Sequence, residues 1–336
     1  MDNRLDAIRS WLLQVLPEGS FDVVAASQDA SFRRYFRVCP ADGRSLIVMD
    51  APPTHENNNR FVFVAKLLRK IGVNVPEVLE TDFQRGFLLL SDLGKTHYLA
   101  VLARNPNKHQ VDRLYNDAMD ALLTIQSLAA CDRIPEYSHE LLDAEMALFR
   151  DWFLGRHLGI RITETLHRTL RSSFDFLQCA ATEQPQVFVH RDYHSRNLMV
   201  REQYNPGILD FQDAVRGPIT YDLVSLLKDV YISWPRTRVD EWVLGYRKLA
   251  IARGILHNVD ATTWLRWFDL MGAQRHLKIA GIFARLYHRD GKPGYLADIP
   301  LTLDYLAQVC ARYPELAALG TLLDDLPSVG NFSPRH

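Results

Sequence analysis

The sequence predicts an α+β protein of two lobes: a small antiparallel β lobe with one helix, then a larger, mainly helical lobe. Three observations predict it. Short β-rich runs and turn residues fill the region from 21 to about 92, around one helical stretch. Apolar residues at 3.6-residue spacing dominate most of the chain after residue 108. One polar strand-loop stretch, 187 to 210, interrupts that helical pattern. At 336 residues, the chain can form one large domain or two lobes around a cleft.

The N-terminal MDNRLDAIRSWLLQVLP has a short apolar run broken by Gln14, which reads as an amphipathic helix and not as a signal peptide or membrane span. FDVVAAS, RRYFRVC and SLIVMDA follow, the last after the turn ADGR, as an antiparallel meander. HENNNRFVFVAKLLRKIG fits one helix from Glu56 to about Ile71, stopped at Gly72. EVLETD and GFLLLSD give two more strands around an FQRG turn. These elements make a lobe over 1–91. The second lobe, 92–336, carries helical periodicity at 108–130, 138–157, 161–183, 219–231, 238–253, 261–288, 299–312 and 314–324. Between them VFVH, NLMV and GILDF are short strand-like runs. No internal repeat or low-complexity linker is evident.

Composition narrows the class. Apolar residues make up 47% and charged ones 24%, the balance of an ordinary globular chain. With 39 basic and 40 acidic residues the formal charge is −1, so no basic face for nucleic acid is expected. Cys39, Cys131, Cys179 and Cys310 show no metal-ligand spacing and read as thiols of a cytoplasmic protein. No membrane partner and no obligate protein partner is indicated.

The chemistry concentrates in HRDYHSRNLMV, 190–200, and LDFQDAVRGP, 209–218. Taken singly, His190 reads as a packed histidine, Asp192 as a helix cap and Asn197 as a turn residue. Taken together with a second carboxylate, Asp210, beside an apolar run, they read differently. Buried carboxylates need a proton, a cation or a metal beside them. Phosphoryl transfer from ATP needs such a set: Asp192 to accept the proton of an attacking hydroxyl, with Asn197 and Asp210 as oxygen ligands for Mg2+. A protein kinase also needs a long activation segment after its Asp-Phe, whereas only QDAVR separates Phe211 from Gly217-Pro218. The acceptor is therefore a small molecule, and Arg191 has no phosphorylated loop to hold.

HRDYHSRN with LDFQDAVRGPITYDLVSLL resembles the aminoglycoside phosphotransferase and choline kinase family, small-molecule relatives of protein kinases. The likeness covers almost the whole chain and implies a two-lobed, protein-kinase-like fold with ATP and Mg2+ between the lobes. It also implies that Asp222 braces the catalytic loop. Within the family, SQDASFRRYFRV, LIVMDAPPTHENN, LLLSDLG and QRHLKIAGIFARLYHRDGKPGYLADIP resemble the anomeric sugar kinases of bacterial cell-wall recycling. That implies an amino-sugar substrate, N-acetylmuramate or N-acetylglucosamine, phosphorylated at its C1 hydroxyl.

The phosphate side departs from the kinase pattern. Where a Lys is expected, SLIVMDAPP has Met49 and Asp50, and no Lys precedes Lys66. Strand alternation puts Arg34, Phe36 and Val38 on one face; with Val38 over adenine, Arg34 points along that face to the phosphates. Ser31, in the small polar loop SQDAS, offers its backbone to a phosphate. Leu90 and Ser91 of LLLSDLG are the expected hinge for adenine. Missing Lys and glycines keep open a nucleotide-sensing pseudokinase, and another small alcohol remains open as acceptor.

For the sugar, residues 264–292 hold six Lys or Arg against two Asp. Gln274, Arg275 and Lys278 fall together on helical spacing, as sugar ligands suited to a carboxylate or as partners of carboxylates in their own lobe. His194 and Asp213, close to the catalytic residues in sequence, are further candidates for substrate contact.

Overall fold

The computed structural model describes residues 2–16, 20–28, 33–128 and 133–327. The chain forms two compact units, Met1–Tyr98 with Asn197–Gln212 and Leu99–Arg196 with Asp213–His336.

In the first unit, helix α1 (Asn3–Val15) is capped by Asp2, which accepts from the Arg4 and Leu5 amides. Strands β1 (Phe21–Gln28), β2 (Arg34–Pro40) and β3 (Leu46–Asp50) follow as the expected meander. Helix α2 (Asn58–Lys70) starts two residues later than expected, because Asn57 is its cap; Glu56 is left outside the helix. With β4 (Val78–Asp82) and β5 (Phe87–Ser91) the sheet is wholly antiparallel, in the order β1-β2-β3-β5-β4. Register explains the core: Phe36 faces Val48 and Val38 faces Leu46. Side chains paired this way share one face. These four join Phe87 and Leu89 beneath Ile8, Trp11 and Leu12 of α1. An alternating sheet with one apolar face needs such a cover, and the amphipathic N-terminal segment supplies it.

The second unit opens with α3 (Tyr98–Leu102), α4 (Lys108–Gln126) and α5 (His139–Leu148). The single helix expected over 138–157 changes character at its middle. From Phe149 to His157 the backbone widens into π-helical turns, ending with the Leu158 amide on the Phe153 carbonyl at 2.9 Å. Phe149, Phe153 and Leu154 are fully buried there. After α6 (Glu164–Thr182), β6 (Gln186–Val189) is reached. The next two strands, β7 (Leu198–Met199) and β8 (Gly207–Ile208), pair with each other within the first unit. The sequence reading put them in the second lobe. They belong to the first because Val200 donates to Thr96 and Ile208 to Asn74, both at 2.8 Å.

Strand β9 (Val215–Pro218) returns to pair with β6, and α7 (Tyr221–Leu227) ends well short of the expected residue 231. Helices α8 (Arg236–Ala252), α9 (Ala261–Asp290), α10 (Ile299–Arg312) and α11 (Ala317–Asp324) complete the unit. The 30-residue α9 is its axis, packing on α5, α6, α7, α8, α10 and the π-helical turns. Met146, Phe149, Phe174, Leu270, Leu277 and Phe283 share the resulting core. Among the described residues, no helix is long and apolar enough to cross a membrane.

At Gly281 the backbones of α9 and α5 come together: a Cβ there would lie 2.3 Å from the Leu148 carbonyl carbon. Neither backbone can yield without separating the helices. Gly281→Ala is expected to destabilise the protein by about 2 kcal/mol or more, read as a melting midpoint lowered by several degrees. An unchanged midpoint would show that the two helices are not in contact there.

Candidate active site

The two oxygen donors expected for a metal lie at one end of the β7–β8 hairpin. Leu198 pairs with Ile208, and the next pair outward is held by the Leu209 amide on the Asn197 carbonyl at 2.9 Å. Asp210 follows at once, in a left-handed backbone conformation (φ 63°). Such a conformation is uncommon for a non-glycine residue and re-aims the side chain at the strand end. Its carboxylate accepts from Gln212 Nε2 at 2.7 Å. An amide and a carboxylate supply the hard oxygen ligands that Mg2+ takes alongside phosphates and water, so the donor set fits that ion.

The cation beside this carboxylate is Arg33, not Arg34. Arg33 Nη1 stands 3.6 Å from Asp210 and Nη2 stands 2.5 Å from Glu56, with both side chains of the Arg33–Glu56 pair about nine-tenths buried. The expected arrangement, Arg34 beside Val38 on the nucleotide face, is corrected by the position of α1. That face is the covered one: Val38 is fully buried in the core. Arg34 donates to Asp50 at 2.6 and 3.0 Å and also reaches Asp2. Asp50, itself buried, takes a further bond from Arg4. The carboxylate standing in place of a lysine thus binds α1 to the sheet. Arg33 precedes β2 and falls on the opposite phase of the alternation.

Ser31 lies outside the described residues. Leu90 is buried in the sheet between Ile47 and Val78. The Ser91 amide donates to the Glu77 carbonyl at 2.9 Å, and its hydroxyl accepts from the Glu77 amide at 2.8 Å. As hinge residues, Leu90 and Ser91 therefore have main-chain groups already engaged by the sheet.

In the second unit the HRDYHSR loop is pinned at nearly every residue. The Asp222 carboxylate accepts the His190 amide at 2.6 Å and the Arg191 amide at 2.9 Å. These bonds hold Arg191 at φ 79°, a conformation costly for a residue with a Cβ. Burial pushes the Asp222 carboxyl up to about 7, against the pull of the two amides and Arg275. Tyr193 donates its hydroxyl to the Ala118 carbonyl of α4 at 2.8 Å. Ser195 gives both its amide (3.0 Å) and its hydroxyl (2.5 Å) to Asp229.

Asp192, held between these anchors, keeps 40% of its side chain exposed. Desolvation works to raise its carboxyl, but Lys278, then Arg275, His194 and Arg191, hold it down to about 2. It is an ionised acceptor in a cationic surround. Its low basicity suits orienting a hydroxyl more than removing a proton early.

Gln274, Arg275 and Lys278 do meet on α9, but facing inward. Glu145, a buried carboxylate of α5, gathers Lys278 at 2.9 Å, Arg191, Tyr137 and, at 3.4 Å, Gln274. Burial raises the Glu145 carboxyl, yet Lys278 and Arg191 hold it below the usual range. Arg275 donates to the Arg191 carbonyl at 2.7 Å and lies 3.9 Å from Asp192. As sugar ligands, Gln274 and Lys278 are corrected by this geometry; both are engaged beneath the loop. His194 turns its ring edge-on to Tyr231 at 5.5 Å, with Nδ1 left without a partner. Asp213 is exposed, and its carbonyl accepts from Arg191 at 3.4 Å.

Residues 22–267 match the APH family, described as the phosphotransferase enzyme family. The chain belongs to that family. Two curated relatives named N-acetylmuramate/N-acetylglucosamine kinase are similar along nearly their whole length. The Pseudomonas aeruginosa protein is 49% identical, covering 97% of this chain and 98% of its own. That of Pseudomonas putida is 46% identical, covering 97% of each. Among solved structures, ADP-bound aminoglycoside phosphotransferase APH(2'')-Ib superposes with a TM-score of 0.60 at 12% identity, covering 92% of this chain and 99% of that one. At that identity the likeness speaks for the fold alone.

Several residues of this phosphotransferase escape a reading by motif. Glu145 carried a signal, a carboxylate inside the apolar run LLDAEMALF, as did Asp229 at the end of DLVSLLKD. Glu56 and Arg33 needed the strand phase fixed first.

With cations holding Asp192 at about 2, kcat/KM is expected to show no loss from protonation of Asp192 from about pH 5 upward, read from a pH–rate profile. Lys278→Met removes the strongest of those charges. The acid limb of the pH profile is then expected to move toward neutral, and an unmoved limb would detach Lys278 from Asp192.

Proposed function

We propose that this phosphotransferase is an ATP- and Mg2+-dependent sugar kinase acting on the anomeric C1 hydroxyl of N-acetylmuramate and N-acetylglucosamine. The observation that carries the reading is Asp192: a carboxylate kept ionised and accessible on a loop fixed at almost every other residue. The names of relatives 49% and 46% identical over 97% of the chain supply the substrate class. Product sugar 1-phosphate suits nucleotide-sugar synthesis in the cytoplasm, where ATP is available, and the reading assigns the reaction to peptidoglycan recycling.

In this reading Asp192 accepts a hydrogen bond from the C1 hydroxyl, aims the oxygen at the γ-phosphorus and takes its proton as the bond forms. An anomeric hydroxyl is more acidic than an ordinary alcohol, so a weakly basic carboxylate is adequate. Asn197 and Asp210 would hold Mg2+, which when bound neutralises charge on the phosphate oxygens. Arg33, braced by Glu56, supplies the phosphate-facing cation in place of the absent lysine.

Asp192→Asn should lower kcat by about 10²–10⁴-fold with little change in the KM for ATP. Phosphate on C1, seen by phosphorus NMR, supports the reading; turnover of kanamycin or choline alone overturns it. The two adjacent arginines separate cleanly. Arg33→Met is expected to cut kcat/KM for ATP by about 10–100-fold. Arg34→Met is expected to lower the melting midpoint while sparing kcat/KM, since it leaves Asp50 with one cation fewer. The reverse pattern would return the phosphate role to Arg34.

A further inference from the structure

With Gln274 and Lys278 turned inward, another cation has to meet an anionic acceptor. The catalytic loop itself presents one. Arg196 lies four residues beyond Asp192, is exposed, and has no carboxylate within ion-pair distance among the described residues. The neighbouring arginines are otherwise engaged, Arg191 by Glu145 and Arg275 by the Arg191 carbonyl. Arg196 is nonetheless held in place: its guanidinium lies 3.6 Å from the centroid of the Tyr231 ring and 5.8 Å from that of Tyr295. Stacking fixes the plane of the group while leaving its N–H edge open, which is how an arginine is prepared for a bidentate partner.

The platform is built with the loop. Asp229 accepts Ser195, the residue before Arg196, on one oxygen and the Tyr231 amide on the other at 3.0 Å. A single buried carboxylate therefore sets both the cation and the ring beneath it. Phe283 of α9 backs both aromatic rings, at 6.5 Å from Tyr231 and 5.4 Å from Tyr295. His194 packs on Tyr231 from the loop side and keeps an unpartnered Nδ1, suited to a hydroxyl or amide of a sugar. Among the described carboxylates, Asp298 feels the charge of Arg196, and Asp229 lies beneath the loop. Neither forms an ion pair with Arg196, and Asp229 is saturated by the bonds just described.

We propose that Arg196, laid on Tyr231 and Tyr295, binds the carboxylate of an anionic N-acetylhexosamine and so sets preference between acidic and neutral sugars. The inference deepens the sugar-kinase reading and rests on it. N-acetylmuramate differs from N-acetylglucosamine by a lactyl ether whose carboxylate a guanidinium recognises through two parallel hydrogen bonds. The neutral sugar makes no such contact.

The test compares kcat and KM of the full chain for N-acetylmuramate, its methyl ester and N-acetylglucosamine. Wild type should favour the acid over its ester. Arg196→Gln should lower kcat/KM for N-acetylmuramate about 10–100-fold more than for N-acetylglucosamine, mostly through KM, and should erase the acid-over-ester preference. Arg196→Lys should recover part of the difference. Equal losses on both sugars with a raised KM for ATP would overturn the proposal and assign Arg196 to the nucleotide; unchanged ratios would make it a bystander. If wild type phosphorylates N-acetylglucosamine but shows no acid-over-ester preference, the inference fails while the sugar-kinase reading stands. If wild type phosphorylates neither sugar, that reading fails first.

Discussion

A single buried carboxylate, Glu145, organises the unit that carries the HRDYHSR loop. It is removed from water within α5, and an isolated charge there would cost several kcal/mol. Two cations meet it, Lys278 from α9 and Arg191 from the loop, with Tyr137 and Gln274 adding hydrogen bonds. The need to neutralise one charge thus draws three distant segments together. The same cations, with Arg275, then bear on Asp192 and keep it ionised. The group that touches substrate in the proposed reaction has its character set by groups that do not.

The loop's rigidity follows the same logic. Asp222 fixes the strained end at Arg191, Asp229 fixes the far end at Ser195, and Tyr193 is tied to α4. Acidic side chains accept backbone N–H groups that the loop, having no ladder of its own, would otherwise leave unsatisfied. Asp192 sits between the anchors with its side chain partly in solvent. A carboxylate so placed is pre-oriented, which is what a transfer reaction dominated by positioning needs.

In the proposed reading, the first unit replaces a missing residue type with a shifted one. An aspartate stands where a phosphate-binding lysine is expected, and it anchors α1 through Arg4 and Arg34. The ion pair that a lysine and a helix glutamate would form is made instead by Arg33 and Glu56, each just outside its element. Both arginines of the Arg33-Arg34 pair have work, on opposite faces of the strand.

The sequence by itself determined the two-lobe class, the meander and the family, and it singled out the Asp-Asn-Asp spacing on which the proposed chemistry rests, because each depends on local periodicity or on residues close together in the chain. It also identified Asp222 as a brace rather than an acid. Tertiary structure decided which face of β2 is covered, and that left Arg33, not Arg34, as the cation beside Asp210. It decided that the basic stretch of α9 points inward, since helical spacing says which residues lie together and not what lies opposite. It decided, too, that residues 197–212 pack with the first unit, through bonds to Thr96 and Asn74 over a hundred residues away. Charges find their partners through space, and a buried carboxylate's claim on a distant cation leaves little trace along the chain.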